Sequence, residues 1–586
     1  MRRWVMLGAA AMLAAGSPAM AACEMGQVVE LKVTMIGPRP TVDTKINGRE
    51  ARFLVDSGAF FSTISRAVAK EYGLRDIPAP PNFRLGGIGG EQSASATRVE
   101  TFTLQSIDLH NIEFVVGGTE LRGSEGVGLL GQNVLGLADV EYDLGHGAIR
   151  IMKTKGCKNA NLAYWAKDRP FSIVDIEDIN EARRHTVGTI TVNGKKIRAV
   201  FDTGAASSVM TLAAARRIGI DVDGPGAKPA GYLGGLGPKV VRSWIVPVDS
   251  LGLGGEEVRR TSLRVADYDF GNDDMLLGAD FFLSHRVYVS NPLRKLFFTY
   301  EGGPVFDLRP TRLVDASGAI QAAPGDSGPE PKTADEFARR GAALASRREF
   351  AKAIDDMNRA IELSPNEARY YLQRANMRLR VRQATLATAD LDKAIELAPG
   401  DTEARLLRAQ LRTGRRDRSA AIQDLDALDA ALAPPSGTRL TLGGLFTANG
   451  AFDRAIAQFD RWMAAHPDDS DRATALNGRC WARALAGKDL DRALSDCNTA
   501  LRARPNTPAY LDSRGLVKLR RGDLDGAIEY YDAALAAQPK LAWALYGRGV
   551  ARAKKGLAKE AAADREAALA ANPDIAERAR EVRIGV

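Results

Sequence analysis

"RFLVDSGAFFSTIS" (Arg52–Ser65) and "RAVFDTGAASSVMT" (Arg198–Thr211) decide how the first half of this chain reads. In each, an apolar run ends in an aspartate followed at once by a small hydroxyl residue, a glycine and an alanine. The aspartates, Asp56 and Asp202, lie 146 residues apart. The surrounding sequence keeps that offset: "INGREARFLVDSGA" (Ile46–Ala59) matches "VNGKKIRAVFDTGA" (Val192–Ala205). Further on, "RLGGIGGE" (Arg84–Glu91) answers "YLGGLGPK" (Tyr232–Lys239), and "GLLGQNVL" (Gly128–Leu135) answers "MLLGADFF" (Met275–Phe282). Landmarks matched in one order mark an internal duplication. Each copy opens with Asn-Gly between alternating apolar residues, a hairpin signature. Period-two stretches such as "TFTLQSIDL" and "RVYVSN", broken by Gly and Asn, predict short antiparallel strands. A short helix is expected after each aspartate motif, at "RAVAKEYG" and "LAAARRIG".

These residues resemble the retropepsin type of aspartic peptidase, duplicated in a single chain over about Val28–Tyr300. The likeness rests on Asp56-Ser57-Gly58-Ala59, on Asp202-Thr203-Gly204-Ala205, and on a later apolar-apolar-Gly ending at Gly131 and Gly278. It implies an endopeptidase whose catalytic groups are Asp56 and Asp202. Two carboxylates that close cannot both ionise, so they share a proton and their apparent pKa values separate. The ionised member takes a proton from a water while the protonated member polarises the scissile carbonyl. Gly58 and Gly204 let the backbone turn beside the carboxylates, and Ser57 and Thr203 hydrogen-bond across the two loops. Gly86, Gly87, Gly89 and Gly90 in one copy, and Gly234, Gly235 and Gly237 in the other, stand where the family has its flaps; glycine there permits opening and closing. Ala59 and Ala205 replace the hydroxyl residues of pepsin-like enzymes. Without those donors the ionised form is less stabilised, which predicts a mildly acidic to near-neutral optimum.

No cofactor and no metal are expected. The five histidines (His110, His146, His185, His285, His466) include no His-x-x-x-His pair and no neighbouring cysteine cluster, and each reads as a surface or hydrogen-bonded residue. "PGDSGPEP" (Pro324–Pro331) holds a third Asp-Ser-Gly, but no apolar strand precedes it and Pro and Gly flank it, so it reads as linker.

Beyond that linker apolar residues recur at helical spacing. Prolines at Pro365, Pro399, Pro434, Pro467, Pro505, Pro539 and Pro573 follow a period close to 34 residues. Two series of small residues keep register with them: Gly341, Ala375, Ala409, Gly443, Cys480, Gly515, Gly549, and Ala353, Ala387, Ala421, Ala455, Ala493, Ala527, Ala561. This is the tetratricopeptide signature, in which small residues let paired antiparallel helices pack closely. Seven repeats and a polar capping helix, "DIAERAREVR", predict a solenoid whose concave face takes a protein partner.

The 586 residues therefore divide into a signal peptide at 1–21, mostly-β halves at 28–157 and 170–303, a linker at 309–332, and an all-α repeat domain at 333–586. The signal reading rests on the basic start, the short apolar run and the small residues before Cys23. That run falls below the roughly 20 residues needed to span a bilayer. Export to the periplasm is expected; secretion and lipid attachment at Cys23 are the alternatives. Four cysteines in an exported chain suggest disulfides, Cys480–Cys497 with Cys23–Cys157 being the simplest of three pairings. The net charge of +8 comes from interleaved charges, which disfavours nucleic acid. A site completed within one chain makes a monomer the default. The rival reading is a non-catalytic peptide-binding adaptor or envelope scaffold built from the same domains.

Overall fold

This computed structural model describes residues 23–585, apart from 81–82, 118–125, 159, 168, 179–184, 237–239, 303–304, 307–311, 315–329, 435, 468 and 470. The signal-peptide stretch, Gly237 and the linker Asp-Ser-Gly lie outside the described residues.

Each β half is built on the Asn-Gly hairpin. Arg39–Ile46 turns through Asn47 and Gly48, at φ 48° and 81°, into Arg49–Val55; Val187–Val192 turns through Asn193 and Gly194, at 49° and 72°, into Lys195–Phe201. Two consecutive left-handed residues make the two-residue loop whose twist suits the strands on either side. Arg49–Val55 then pairs in parallel with Gly128–Leu130, and Lys195–Phe201 with Met275–Leu277. Thr63–Ile64 and Val209–Thr211 return antiparallel on the far side of those short strands. The expected helices follow at Arg66–Glu71 and Leu212–Arg217, each capped by a side-chain hydroxyl, Ser65 and Thr211. Phe53, Val55, Val200 and Phe201 are fully or almost fully buried. Both aspartates therefore emerge from anchored strand ends.

A sheet shared by the two halves joins them. Its strands run Ser172–Asp175, Lys295–Tyr300, His285–Ser290, Asp139–Asp143, Ala148–Lys155, Glu24–Ile36, with the first three from one half and the last three from the other. At its centre Val140 stands opposite Val289, and Tyr142 opposite Val287. Glu141, buried in this sheet, is held by Arg150 at 2.5 Å, Arg286 at 2.6 Å and the Tyr164 hydroxyl at 2.6 Å. A buried carboxylate survives only with such partners. A disulfide between Cys23 and Cys157 ties the start of Glu24–Ile36 to the chain just past Ala148–Lys155, next to the Glu24–Lys155 pair.

The helical part comprises, among the described residues, fourteen helices in antiparallel pairs from Ala334–Ser346 to Ala558–Ala571, then a short helix Ile575–Glu581. The two small-residue series meet inside the pairs: a Cβ on Gly341 would lie 3.1 Å from the Ala353 carbonyl, and one on Gly549 3.2 Å from that of Ala561. Larger side chains at either position would push the helices apart. Bidentate arginine–aspartate pairs add a second lock, at Arg340–Asp356, Arg374–Asp390, Arg408–Asp424, Arg479–Asp496 and Arg548–Asp564. The second disulfide, Cys480–Cys497, ties the two helices of one pair.

The two parts are not merely tethered. Arg312–Val314, inside the stretch read as linker, adds an edge strand to the second half by pairing with Glu256–Ala266. Ala334–Ser346 packs on Glu24–Ile36, where the Ser346 hydroxyl donates to the Gly37 carbonyl at 2.6 Å and Arg347 to that of Leu283 at 2.9 Å. No helix among the described residues is long and apolar enough to cross a membrane.

Candidate active site

The loops that follow the two anchored strands meet face to face. Asp56 N–H donates to the Leu130 carbonyl at 3.0 Å and Asp202 N–H to that of Leu277 at 2.8 Å, so each aspartate is pinned by its own half. The hydroxyls beside them then cross over. Ser57 Oγ donates to the Phe201 carbonyl (2.8 Å) and accepts from Thr203 N–H (2.9 Å); Thr203 Oγ1 donates to the Val55 carbonyl (2.8 Å) and accepts from Ser57 N–H (3.1 Å). Four reciprocal bonds, all buried, fix the separation of the loops.

The glycines have a steric reason. A Cβ on Gly58 would lie 2.4 Å from Asp202 Cγ, and one on Gly204 would lie 2.3 Å from Asp56 Cγ. Each carboxylate thus packs on the other loop's glycine, and no side chain fits between them. Gly131 and Gly278 back the loops in the same way, their added Cβ atoms falling 2.8 Å and 2.7 Å from the carbonyls of Ala59 and Ala205.

The pair is not electrostatically symmetric. Asp202 Oδ1 accepts from Gly204 N–H at 2.8 Å and Ala205 N–H at 3.1 Å. Asp56 Oδ1 is buried with no hydrogen-bond partner. Burial, and then the Asp202 charge, push the Asp56 carboxyl well above its ordinary range, against the Ala59 and Gly58 N–H groups, which lower it. Burial also raises Asp202, but its hydrogen bond from Asp56 and the two N–H groups oppose that rise. Both carboxyls are thus raised by burial, and they titrate as one coupled pair that shares a proton. Beneath them Tyr142, from the shared sheet, has its phenol raised by burial and by both carboxylates.

The glycine-rich segments, expected as flaps, form paired strands in each half. Arg84–Gly87 pairs with Gly90–Ser93, with Gly87 opposite Gly90, and Lys228–Gly234 pairs with Val240–Leu253. Their tips touch: Gly89 N–H donates to the Leu236 carbonyl at 2.8 Å, a Cβ on Gly87 would fall 2.6 Å from Leu236 Cβ, and one on Gly235 would fall 3.1 Å from Ile88 Cβ. Ile88 also packs against a second-half cluster that includes Val187, Tyr268 and Leu276.

Some supporting residues escaped the sequence reading. Ser62 donates to Asn133 Oδ1 at 2.8 Å and accepts from Gly131 N–H at 3.0 Å; Ser208 does the same with Asp280 at 2.7 Å and Gly278 N–H at 2.9 Å. The duplication offset carries Ser62 onto Ser208, and that was the available signal. His185 was read as an ordinary histidine. It is a hydrogen-bonded one, held by the Gly58 backbone in the Asp56 loop, with its ring stacked on Phe60 at 4.0 Å and facing Phe270 at 6.2 Å.

Comparison with known proteins agrees with this layout. An aspartyl protease family model matches residues 42–134, a gag-polyprotein aspartyl protease model matches 188–284, and a tetratricopeptide-repeat model matches 515–556. No curated protein matches the chain. Among solved structures it is similar to a tetratricopeptide-repeat protein from Parabacteroides merdae, at 14% identity over 43% of this chain and 98% of that one, TM-score 0.37. Pseudomonas aeruginosa pilF matches at 16% identity over 37% and 96%, TM-score 0.28. YrrB, described as a repeat protein with an unusual peptide-binding site, matches at 19% identity over 39% and 97%, TM-score 0.22. The chain thus joins two aspartyl-protease-type units in tandem to a tetratricopeptide-repeat solenoid.

Proposed function

We propose that the chain is an exported aspartic endopeptidase that cleaves extended segments of protein substrates. The observation that carries this reading is the buried carboxyl pair, each member packed on the other loop's glycine and the two loops locked by four crossed hydrogen bonds. In that arrangement Asp202 takes a proton from a water held between the carboxyls. Asp56 gives its proton to the carbonyl oxygen of the peptide as the water adds. The tetrahedral intermediate collapses when a proton reaches the leaving nitrogen, and the pair returns to its starting state. High titration of both groups supports activity from mildly acidic to near-neutral pH. Two disulfides are compatible with export, and the repeats suggest recruitment of a protein partner or substrate.

The test is cleavage of casein across pH 3 to 8 by the wild-type chain, Asp56→Asn and Asp202→Asn. Activity that both substitutions reduce at least a thousandfold, and that a statine-type inhibitor blocks, supports the mechanism. Variants that still complement a deletion strain would instead favour a binding adaptor.

A further inference from the structure

A cavity of about 190 Å³ is lined by Phe60, His185, Val187, Phe270, Arg198, Asn272 and Asp273, and His185 ties it to the Asp56 loop through the Gly58 backbone. It belongs to both halves. Phe60 follows the Asp56 loop by four residues, whereas Val187 pairs with Val200, two residues before Asp202. Its walls are flat rings: Phe60 stacks on His185 and His185 faces Phe270. Burial pushes the His185 imidazole down to about 4, so the ring is neutral wherever the peptidase is expected to work. Its polar residues are self-satisfied as well. Arg198 is engaged by Glu177 at 2.8 Å and 2.9 Å, by the Asn272 carbonyl at 2.8 Å and by Asp273 at 3.3 Å. The cavity therefore offers no uncompensated charge. It is also smaller than the roughly 300 Å³ at which whole-ligand sites begin, which suits one side chain.

Among the described residues the other half does not repeat its Phe60, His185 and Val187 walls. At the offset of 146, Phe60 corresponds to Ala206, His185 to Arg39 and Val187 to Thr41. The register confirms the correspondence, since Thr41 stands opposite Leu54 as Val187 stands opposite Val200. An aromatic slot on one side is matched by an alanine, an arginine and a threonine on the other.

We propose that this cavity is a one-sided specificity pocket that takes a single neutral aromatic or branched aliphatic side chain of an extended peptide, and so fixes the direction in which the peptide lies across the carboxyl pair. A pseudo-symmetric cleft would otherwise accept a peptide in either direction. Burying a large apolar side chain is worth roughly 1.5–3 kcal/mol, about 10- to 200-fold in affinity. Seating in one direction keeps that gain and reversal forfeits it. The inference rests on the cleft being a peptide site, but not on its being catalytic.

The test uses unstructured octapeptides scanned with Phe, Leu, Ala, Asp or Lys at each position, in two arms. The first maps cleavage sites by mass spectrometry with the full-length protein. The second measures binding to full-length Asp202→Asn. The expected result is a preference of at least tenfold for Phe and Leu over Ala, Asp and Lys at one position within three residues of the scissile bond. His185→Ala and Phe60→Ala, each monitored for folding by its melting curve, should reduce that preference severalfold. His185→Phe, which keeps a stacked ring, should retain it, and Arg39→Ala should leave it in place. Cleavage without a one-sided preference, or a preference unmoved by His185→Ala and Phe60→Ala, overturns the pocket. Absence of cleavage together with preserved, His185-dependent binding preference upholds the pocket and overturns the peptidase.

Discussion

Replacing Thr203 by valine removes one hydroxyl and almost no volume. The Val55 carbonyl loses its donor at 2.8 Å and Ser57 N–H loses its acceptor at 3.1 Å. Both groups are buried, because Val55 and Thr203 are 0% exposed and Ser57 is 2% exposed, so water cannot substitute. Leaving one buried polar group unsatisfied costs about 1–3 kcal/mol, and two give about 2–6 kcal/mol. With 1.4 kcal/mol per tenfold, a mid-range loss of about 4 kcal/mol speeds local opening by nearly a thousandfold. Hydrogen exchange read by mass spectrometry on peptides covering residues 53–60 and 199–206 measures this directly. Both loops should lose protection together, since the bonds join one to the other. Ser57→Ala should do the same, because it frees the Phe201 carbonyl and Thr203 N–H. The double substitution should cost less than the sum, the junction being already open. Turnover should fall by about a hundredfold, the usual cost of an ångström-scale misplacement of reacting groups. Exchange within threefold of wild type in both loops would refute the claim that the crossed hydroxyls hold the site.

Asp56→Asn and Asp202→Asn should each raise the melting temperature at pH 7. Burial lifts both folded-state pKa values, so between the ordinary carboxyl range and those values the folded state holds more protons than the unfolded one. Stability therefore falls as pH rises through that window. The advantage of the asparagine variants should close as pH approaches 4, which melting curves at a series of pH values will show. Cys480→Ala should lower the unfolding transition of the repeats by about 3 kcal/mol, as expected for a loop closed across 17 residues. A reductant that leaves that transition unmoved would contradict the assignment.

The halves were legible because their signals are local and stated twice. Asn47-Gly48 and Asn193-Gly194 specify the turns, the apolar runs specify the strands behind Asp56 and Asp202, and the glycine-rich strings specify a paired strand segment in each half. The repeats were legible for the same reason, their small residues recurring in register. The shared sheet was not: its central register of Val140 with Val289 joins strands that no short-range pattern relates. Docking of Ala334–Ser346 against Glu24–Ile36 was hidden likewise, because Ser346 and Arg347 look like ordinary helix-end residues until their acceptors, Gly37 and Leu283, are known. His185 was missed because its stacking partners lie far away in sequence, one in each half. The arginine–aspartate locks stood in plain view at the repeat period, but charges at helical spacing normally read as a solvated face.

In two identical copies either carboxyl can hold the shared proton, whereas duplication within one chain permits a fixed division of tasks. In the proposed mechanism Asp202, whose Oδ1 accepts from Gly204 and Ala205 N–H, serves as the base, and Asp56 serves as the proton donor. The two asparagine substitutions should then be unequal. Asp202→Asn removes the group that takes the proton from water, and an amide offers no basic replacement. Asp56→Asn removes a proton donor but retains an N–H that can hydrogen-bond the carbonyl oxygen as charge develops on it. One such donor is typically worth 10²–10³ in turnover. Asp56→Asn should therefore keep residual activity above that of Asp202→Asn by at least tenfold, within the large loss both suffer. Single-turnover cleavage of one peptide by both variants, at matched enzyme excess, reads the ranking. If Asp202→Asn is the more active, the proton sits on the other carboxyl, and the two N–H groups on Asp202 serve to shape its loop instead of holding its charge.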